Sequence, residues 1–421
     1  MSAAHGGYGS EKVPLGGGAA VFERLIASKA FAKHQLQLIG PGPDSPPAGT
    51  YHRVLNQNTA PSALGMMEYA RFSREFGSAT TQLVLKLKPD VLICHDISEG
   101  PDVRALSLAG IPVVTIFHVD VVDIFNRLYL GGLFNPESLA RGYRGLRNLP
   151  WPGVLKLVFE KQQEVADFGA LSVTPSEGAR SLVERCYPLA SAPVRTIGWG
   201  VPKCPFSDSE VEEEKARLRK LHAIPSHHNI LLTLSRLSPE KAQHRLLQAV
   251  QFAERQGRLP CDLTIVIAGA PAFMEGRRHF RRLQELANSL NTRVLFPGHV
   301  GGLEKAAWYS SADIFVVNSL HESYGLTTLE AMQQGCPVVA VRSFGTADTV
   351  TPEVGRLVIP GPELPARLWG TLELYLRPEG TAERELMATR AKEKTLRETF
   401  ERAASELETA TLQAASVIPN Y

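Results

Sequence analysis

The stretch Asn318–Gly335, NSLHESYGLTTLEAMQQG, sets two glutamates around a turn. Glu322 precedes the turn, and Glu330 falls in the first turns of a helix that the pattern predicts from Leu326. A carboxylate accepts two hydroxyl hydrogen bonds at once, which suits a sugar or a ribose. Between the two, Ser323, Tyr324, Gly325, Leu326 and Thr327 bring free backbone N–H groups to a helix N-terminus, a seat for a phosphate. An isolated pair of glutamates would read as a loop charge and a helical surface residue. The glycine, the apolar run before it and the Gly335-Cys336-Pro337-Val338-Val339 after it argue for a site built on strand, loop and helix.

A second candidate is Leu234–Lys241, LSRLSPEK, directly after another apolar run. Arg236 offers a planar fork to pairs of oxygens and Lys241 a point charge. Together they can neutralise a diphosphate and stabilise it as a leaving group. Taken alone, Pro239-Glu240 reads equally well as a helix start with solvated neighbours. Near the N-terminus, Pro14–Gly18 (PLGGG) leads into a helical stretch, and Gly17 and Gly18 would let backbone approach a phosphate or sugar, unless the turn is simply a flexible loop. Thr115–Asp120, TIFHVD, puts His118 at the end of a strand, where an imidazole can meet a donor sugar; a structural histidine is the plainer reading. His95-Asp96 has the same placement after Val91–Cys94.

Elements that could hold these residues alternate along the chain. Leu36–Ile39, Val91–Cys94, Val113–Phe117, Leu171–Thr174 and Val194–Ile197 are short apolar runs, separated by helical stretches at Ser62–Lys86, Asp102–Leu108 and Gly153–Asp167. Near-continuous apolar runs fit strands covered on both faces, and the alternation predicts a doubly wound α/β domain. The pattern lapses through 199–228, which reads as a linker with a short helix. It restarts with strands expected at 230–234, 263–268, 294–296, 314–317, 338–341 and 357–359. The expected organisation is therefore a first domain at 1–198, a linker at 199–228, a second domain at 229–380 and a final helical segment at 381–421. Ala382–Ser416 reads as one long helix, rich in Ala, Glu, Arg and Leu without Gly or Pro. In open parallel sheets ligands bind beyond the carboxyl ends of the strands, which is where every motif above falls.

Composition narrows the class. The 421 residues are 44% hydrophobic and 21% charged, enough for two or three packed domains at about 150 residues each. With 45 basic against 43 acidic residues, the balance gives no support for a general nucleic-acid binder. Five scattered cysteines show no metal or redox spacing, no apolar run is long enough to span a membrane, and Met1–Ser10 lacks the pattern of a signal peptide. These features predict a reduced, cytoplasmic globular protein, monomer or homodimer.

Taken together, the motifs resemble the GT-B glycosyltransferases of family 4, retaining enzymes that use nucleotide-sugar donors. The likeness is strongest over Ile230–Ile359, where RLSPEK, LFPGHV (Leu295–Val300), SADIFVV (Ser311–Val317) and HESYGLTTLEAM follow the family order. Across Pro14–Ile197 it rests on the glycine turn, His118 after a strand and VTPSEGA. The resemblance implies two Rossmann-like domains facing each other across a cleft, the acceptor on the first and the nucleotide on the second, with a final helix, for which Ala382–Ser416 is long enough, crossing back onto the first. By the same likeness Glu322 contacts hydroxyls of the transferred sugar and Glu330 the ribose. Arg236 and Lys241 hold the diphosphate with backbone groups of Gly17, Leu326 and Thr327; His118 touches the sugar near the reacting carbon, and Val300 lines the base pocket. The expected donor is a UDP- or GDP-sugar, used without a cofactor or metal, and the chain holds no Asp-x-Asp motif.

Some positions depart from the family. Ser2–Lys12 is a poor strand by propensity where relatives open with an apolar one, and Ser343–Asp348 (SFGTAD) stands in place of Gly-Gly-x-x-Glu. Arg141–Lys156 mixes Arg141, Arg144, Arg147 and Lys156 with Tyr143 and Trp151, and reads either as a solvated face or as a peripheral contact with an anionic membrane or an acidic acceptor. A rival to the transferase reading is a non-catalytic relative that binds glycan or a partner. The chain is far too short for a phosphorylase.

Overall fold

The computed structural model describes residues 1–9, 16–55, 57–272 and 275–416, without the side chain of Val154. The chain divides into two compact units: Met1–Trp199 joined by the last helix, and Gly200–Thr399.

The first unit runs α1 (Gly17–Ala27), β1 (Gln37–Gly40), β2 (Thr50–Arg53), α2 (Met66–Leu87), β3 (Leu92–Cys94), α3 (Val103–Leu108), β4 (Val113–Ile116), α4 (Val121–Tyr129), α5 (Pro136–Leu146), α6 (Gly153–Phe168), β5 (Leu171–Thr174), α7 (Glu177–Cys186) and β6 (Val194–Thr196). All strand pairings are parallel, in the orders β2-β1 and β3-β4-β5-β6. Ser2 joins the two groups by bridging Ile39 and Cys94, with Ser2 N–H donating to Ile93 O (2.9 Å) and Ala3 N–H to Ile39 O (3.0 Å). The poorly strand-forming start thus supplies two isolated bridges through Ser2 rather than a full strand. Ser10, Glu11, Lys12, Pro14 and Leu15 lie outside the described residues.

The second unit runs α8 (Asp208–Leu221), β7 (Asn229–Leu234), α9 (His244–Arg255), β8 (Leu263–Ala268), α10 (Gly276–Asn288), β9 (Arg293–Gly298), α11 (Gly302–Ser311), β10 (Ile314–Val317), α12 (Leu326–Gln333), β11 (Val338–Val341), α13 (Phe344–Thr349), β12 (Gly355–Val358), α14 (Leu364–Leu376) and α15 (Thr381–Arg397). Its sheet is wholly parallel, in the order β12-β11-β10-β7-β8-β9. Strands β8, β10 and β11 are buried along their whole length, as the unbroken apolar runs require. On one face Leu231, Ile265, Ile314 and Val316 pack with Leu246, Leu368 and Trp369. Each such aliphatic side chain contributes about 1.5–3 kcal/mol by leaving water.

Two expectations are corrected here. The segment 199–228 is not a free-standing linker, because α8 is part of the second unit. It starts with a capping box between Ser207 and Glu210, buries Val211 and Leu218, and is followed by His222 against Trp308 (5.3 Å between ring centroids). The final segment is not one helix. It breaks between α15 and α16 (Phe400–Ser416), where Val201 N–H takes the Glu398 carbonyl at 3.0 Å and Val201 bridges Thr399. Helix α16 belongs to the first unit, where Phe400 stacks on Trp199 and Glu408 pairs with Lys33 and His34.

Candidate active site

In the second unit, both candidate cations ride on the loop after β7. Arg236 lies 3.6 Å from Glu240 of its own loop. Lys241 reaches the loop after β10, and its Nζ donates to Glu322 Oε2 at 2.7 Å. Ser319 Oγ donates to the same oxygen at 3.0 Å. Burial opposes the charge on Glu322, but the Lys241 ammonium and the hydrogen bonds from Lys241 and Ser319 outweigh it and hold the carboxyl below its ordinary range. Two motifs far apart in sequence therefore form one ion pair, with side chains 17% and 15% exposed.

Backbone geometry builds the rest of this site. Gly325 adopts a left-handed conformation (φ 92°), costly for any side chain, and starts α12. Its carbonyl receives the N–H groups of Thr328 and Leu329, while Leu326 and Thr327 head the helix in the first turn, where no intrahelical carbonyl is available to their N–H groups. Glu330, inside α12, is held by Lys305 Nζ (3.2 Å) and the Tyr309 hydroxyl (3.4 Å). Val300 is buried just beyond β9. Ser323 Oγ lies 3.1 Å from His321 Nε2, and the Tyr324 hydroxyl accepts the Gly200 N–H at 3.1 Å, anchoring the loop to the start of the unit.

Several residues of this site escaped the sequence reading. Gly345 N–H donates to Glu322 O at 2.7 Å, and a Cβ there would stand 2.3 Å from Tyr324 N. The segment that departs from the family thus cradles the glutamate loop through its glycine. Gln243 is fully buried and clamps the cation loop: its amide nitrogen donates to Ser235 Oγ (2.8 Å) and Arg236 O (2.7 Å). Its amide oxygen must then accept, so His279, 2.8 Å away, carries its proton on Nε2. The available signal was a glutamine directly before the apolar face of α9.

In the first unit, His118 follows β4 and His95 follows β3. His95 Nδ1 and His118 Nε2 are 3.1 Å apart, with ring planes 19° from parallel, so the two imidazoles share a hydrogen bond close to their common plane. Burial pushes His118 down to about 3, assisted by the charge of His5, and burial also holds His95 well below its ordinary value. Both rings are therefore neutral near pH 7. Gly18, in the first turn of α1, backs onto this pair, since a Cβ on it would lie 3.1 Å from His118 Cδ2. Gly17 stands beside it as the first residue of α1. Below them Asp96 accepts the Ala4 N–H and Glu99 accepts the Tyr69 hydroxyl, and burial raises both carboxyls.

Comparison with known proteins bears on the family and the fold. A family model described as Glycosyl transferases group 1 matches residues 214–394, and one described as Glycosyltransferase Family 4 matches residues 15–203. A D-inositol 3-phosphate glycosyltransferase of Saccharomonospora viridis is 33% identical over 227 residues, 53% of this chain and 51% of the relative. The chain spans about half the length of the curated relatives it matches. Among solved structures, Anabaena Alr3699/HepE in complex with UDP and glucose superimposes with a TM-score of 0.67 at 17% identity, over 96% of both chains. Sucrose-phosphate synthase (tll1590) from Thermosynechococcus elongatus gives 0.73 at 18% identity, over 98% of this chain and 97% of that one. With both halves matched in order, and with two parallel-sheet units of the same fold as these enzymes, the chain belongs to the GT-B glycosyltransferases of family 4.

Proposed function

We propose that this protein transfers a hexosyl group from a nucleoside diphosphate sugar to an acceptor hydroxyl, with retention of anomeric configuration. The observation that carries this reading is the Lys241–Glu322 pair beside the N-terminus of α12. It sets a cation, a sugar-type acceptor of hydrogen bonds and two unclaimed helical N–H positions side by side. Arg236 and Lys241 take up the charge that develops as the bond between the sugar carbon and the diphosphate oxygen breaks. Leu326 and Thr327 add backbone donors to a phosphate. Glu322 orients the sugar hydroxyls, Glu330 the ribose, and Val300 lies against the base. The acceptor oxygen forms its bond to the same sugar carbon on the face the diphosphate leaves, and its proton passes to the departing phosphate oxygen. The neutral His118, oriented by His95 and backed by Gly18, offers a hydrogen bond to the sugar. No cofactor or metal has a role in this scheme.

A UDP-sugar is the favoured donor, because the Anabaena relative of the same fold was crystallised with UDP, glucose and UDP-glucose. The relative named for D-inositol 3-phosphate makes a hydroxyl-bearing small metabolite a reasonable first acceptor to try. A peripheral membrane contact near Arg141–Lys156 gains support from Leu133, Leu146 and Leu149, which are exposed. Tyr143 takes no part in it, being buried against Phe159. The test is release of UDP or GDP from a panel of hexose donors, with and without acceptors. Turnover of one donor that disappears in Glu322→Ala supports the transferase. Binding of glycan without turnover in the unaltered protein would favour the non-catalytic reading.

A further inference from the structure

A cavity of about 610 Å³ opens on the second unit beside Pro239, and its described lining includes none of Arg236, Lys241 and Glu322. Its walls carry Arg278, His279, Arg281 and Arg282 of α10 and His244 of α9, with Glu275 and Glu285 as the carboxylates. Residues three and four apart on a helix share a face, so the three guanidinium groups converge on one side of α10. Arg278 lies 3.7 Å from Glu275. Arg281 and Arg282 form no ion pair among the described residues, whereas Arg258, Arg356, Arg377 and Arg384 of the same unit are matched to carboxylates.

The back wall is fixed before any ligand arrives. His279 is buried and hydrogen-bonded to the fully buried Gln243, which is itself bound to Ser235 and to the Arg236 carbonyl. His244 Nδ1 is buried and has no hydrogen-bond partner among the described residues. Burial, and then the charge of Arg282, pushes His244 down to about 4, so neither histidine adds charge near neutral pH. What remains is a concave surface on which three exposed guanidinium forks stand against two exposed carboxylates, backed by the buried His279. Paired N–H donors in a planar fork match the oxygens of a phosphate better than those of any neutral ligand.

We propose that this cavity is a second anion site that takes a phosphate group, separate from the diphosphate position at Arg236 and Lys241. The phosphate belongs either to a soluble phosphorylated metabolite or to a lipid headgroup, and the chemistry at the cavity is the same for both. The proposal stands independently of the donor reading, and two variants separate them. Inorganic phosphate is titrated by calorimetry into the full chain, into Arg281→Ser/Arg282→Ser and into Lys241→Ala. The expected result is binding that weakens at least tenfold in the double arginine variant and persists in Lys241→Ala. A melting temperature without phosphate equal to that of the unaltered protein shows that the double variant is folded. Loss in Lys241→Ala with retention in the arginine variant would place the phosphate at the donor loop and overturn the proposal, as would no binding at all. Glucose 6-phosphate and vesicles containing phosphatidic acid then identify the source, each compared between the unaltered protein and the double variant. Sensitivity of either to the variant supports the site, and insensitivity of both overturns it.

Discussion

The candidate site residues of the two units handle polar chemistry in opposite ways. The second presents charge: Lys241 against Glu322, Arg236 against Glu240 and Lys305 against Glu330, each pair within 4 Å and partly open to solvent. The first hides neutral groups: His95 and His118 share one hydrogen bond, and burial holds Asp96 and Glu99 towards their protonated forms. A site built from ion pairs is suited to a ligand that carries its own charge, such as a diphosphate. A site built from neutral donors and acceptors is suited to hydroxyls, where an unpaired charge would be costly. Under the proposed function the first unit meets only hydroxyls while the second meets the diphosphate as well, and each of the following measurements can break that contrast.

The largest effect is expected from Lys241→Ala. It removes the cation from the diphosphate and leaves Glu322 without its main partner. The turnover rate should fall about 10²–10³-fold, the usual consequence of deleting one group that stabilises developing charge. Steady-state kinetics with the donor that the panel selects provides the check. A loss smaller than tenfold would mean that charge in the second unit is structural.

Next comes Gly345→Ala. The added methyl collides with Tyr324 N, so the loop carrying Glu322 must move. Overpacking of this kind costs about 1–3 kcal/mol. It should appear as a lowered melting temperature together with a raised donor KM. An unchanged KM would show that the cradle does not position Glu322.

The smallest effect is on pH dependence and belongs to the first unit. His118, at about 3, lies below its unfolded value near 6.5. The unfolded chain binds a proton that the folded ring refuses, so this contribution is fully present above about pH 6.5 and is lost as pH falls towards 3. Asp96 and Glu99, being raised, act the other way: their contribution is present below the ordinary carboxyl range and lost as pH rises through the folded values. Glu322 is lowered, so the second unit keeps its pair until pH falls below the ordinary glutamate range. The drop in melting temperature between pH 7 and pH 5 should therefore shrink in His118→Gln. An equal drop in variant and unaltered protein would remove the buried histidine from the account.

The same contrast explains what the sequence made legible. Strands β8, β10 and β11 could be read because a parallel strand covered on both faces must be apolar throughout. The edge strand β2, TYHR, was missed because half-exposed polar residues carry no such run. Helices α4, α5, α7 and α13 were missed as well. The last has only six residues, started by a capping box between Ser343 and Thr346. In the site, Arg236, Lys241, Glu322 and Glu330 stood out because charge and glycine mark a loop. Gln243, Ser319 and Gly345 did not, since their roles depend on contacts between segments distant in sequence. The break at Glu398 was equally invisible, because it depends on Val201 nearly two hundred residues earlier.

The central claim is that the nucleotide is held by charge in the second unit and not by the histidines of the first. Calorimetric titration of UDP, GDP, ADP and dTDP into the unaltered protein, Arg236→Ala, Lys241→Ala and His118→Ala tests it most directly. The account predicts that one nucleoside diphosphate binds, at least tenfold more weakly in each cation variant and with unchanged affinity in His118→Ala. Equal weakening in all three variants, or no binding by any of the four nucleotides, would contradict it.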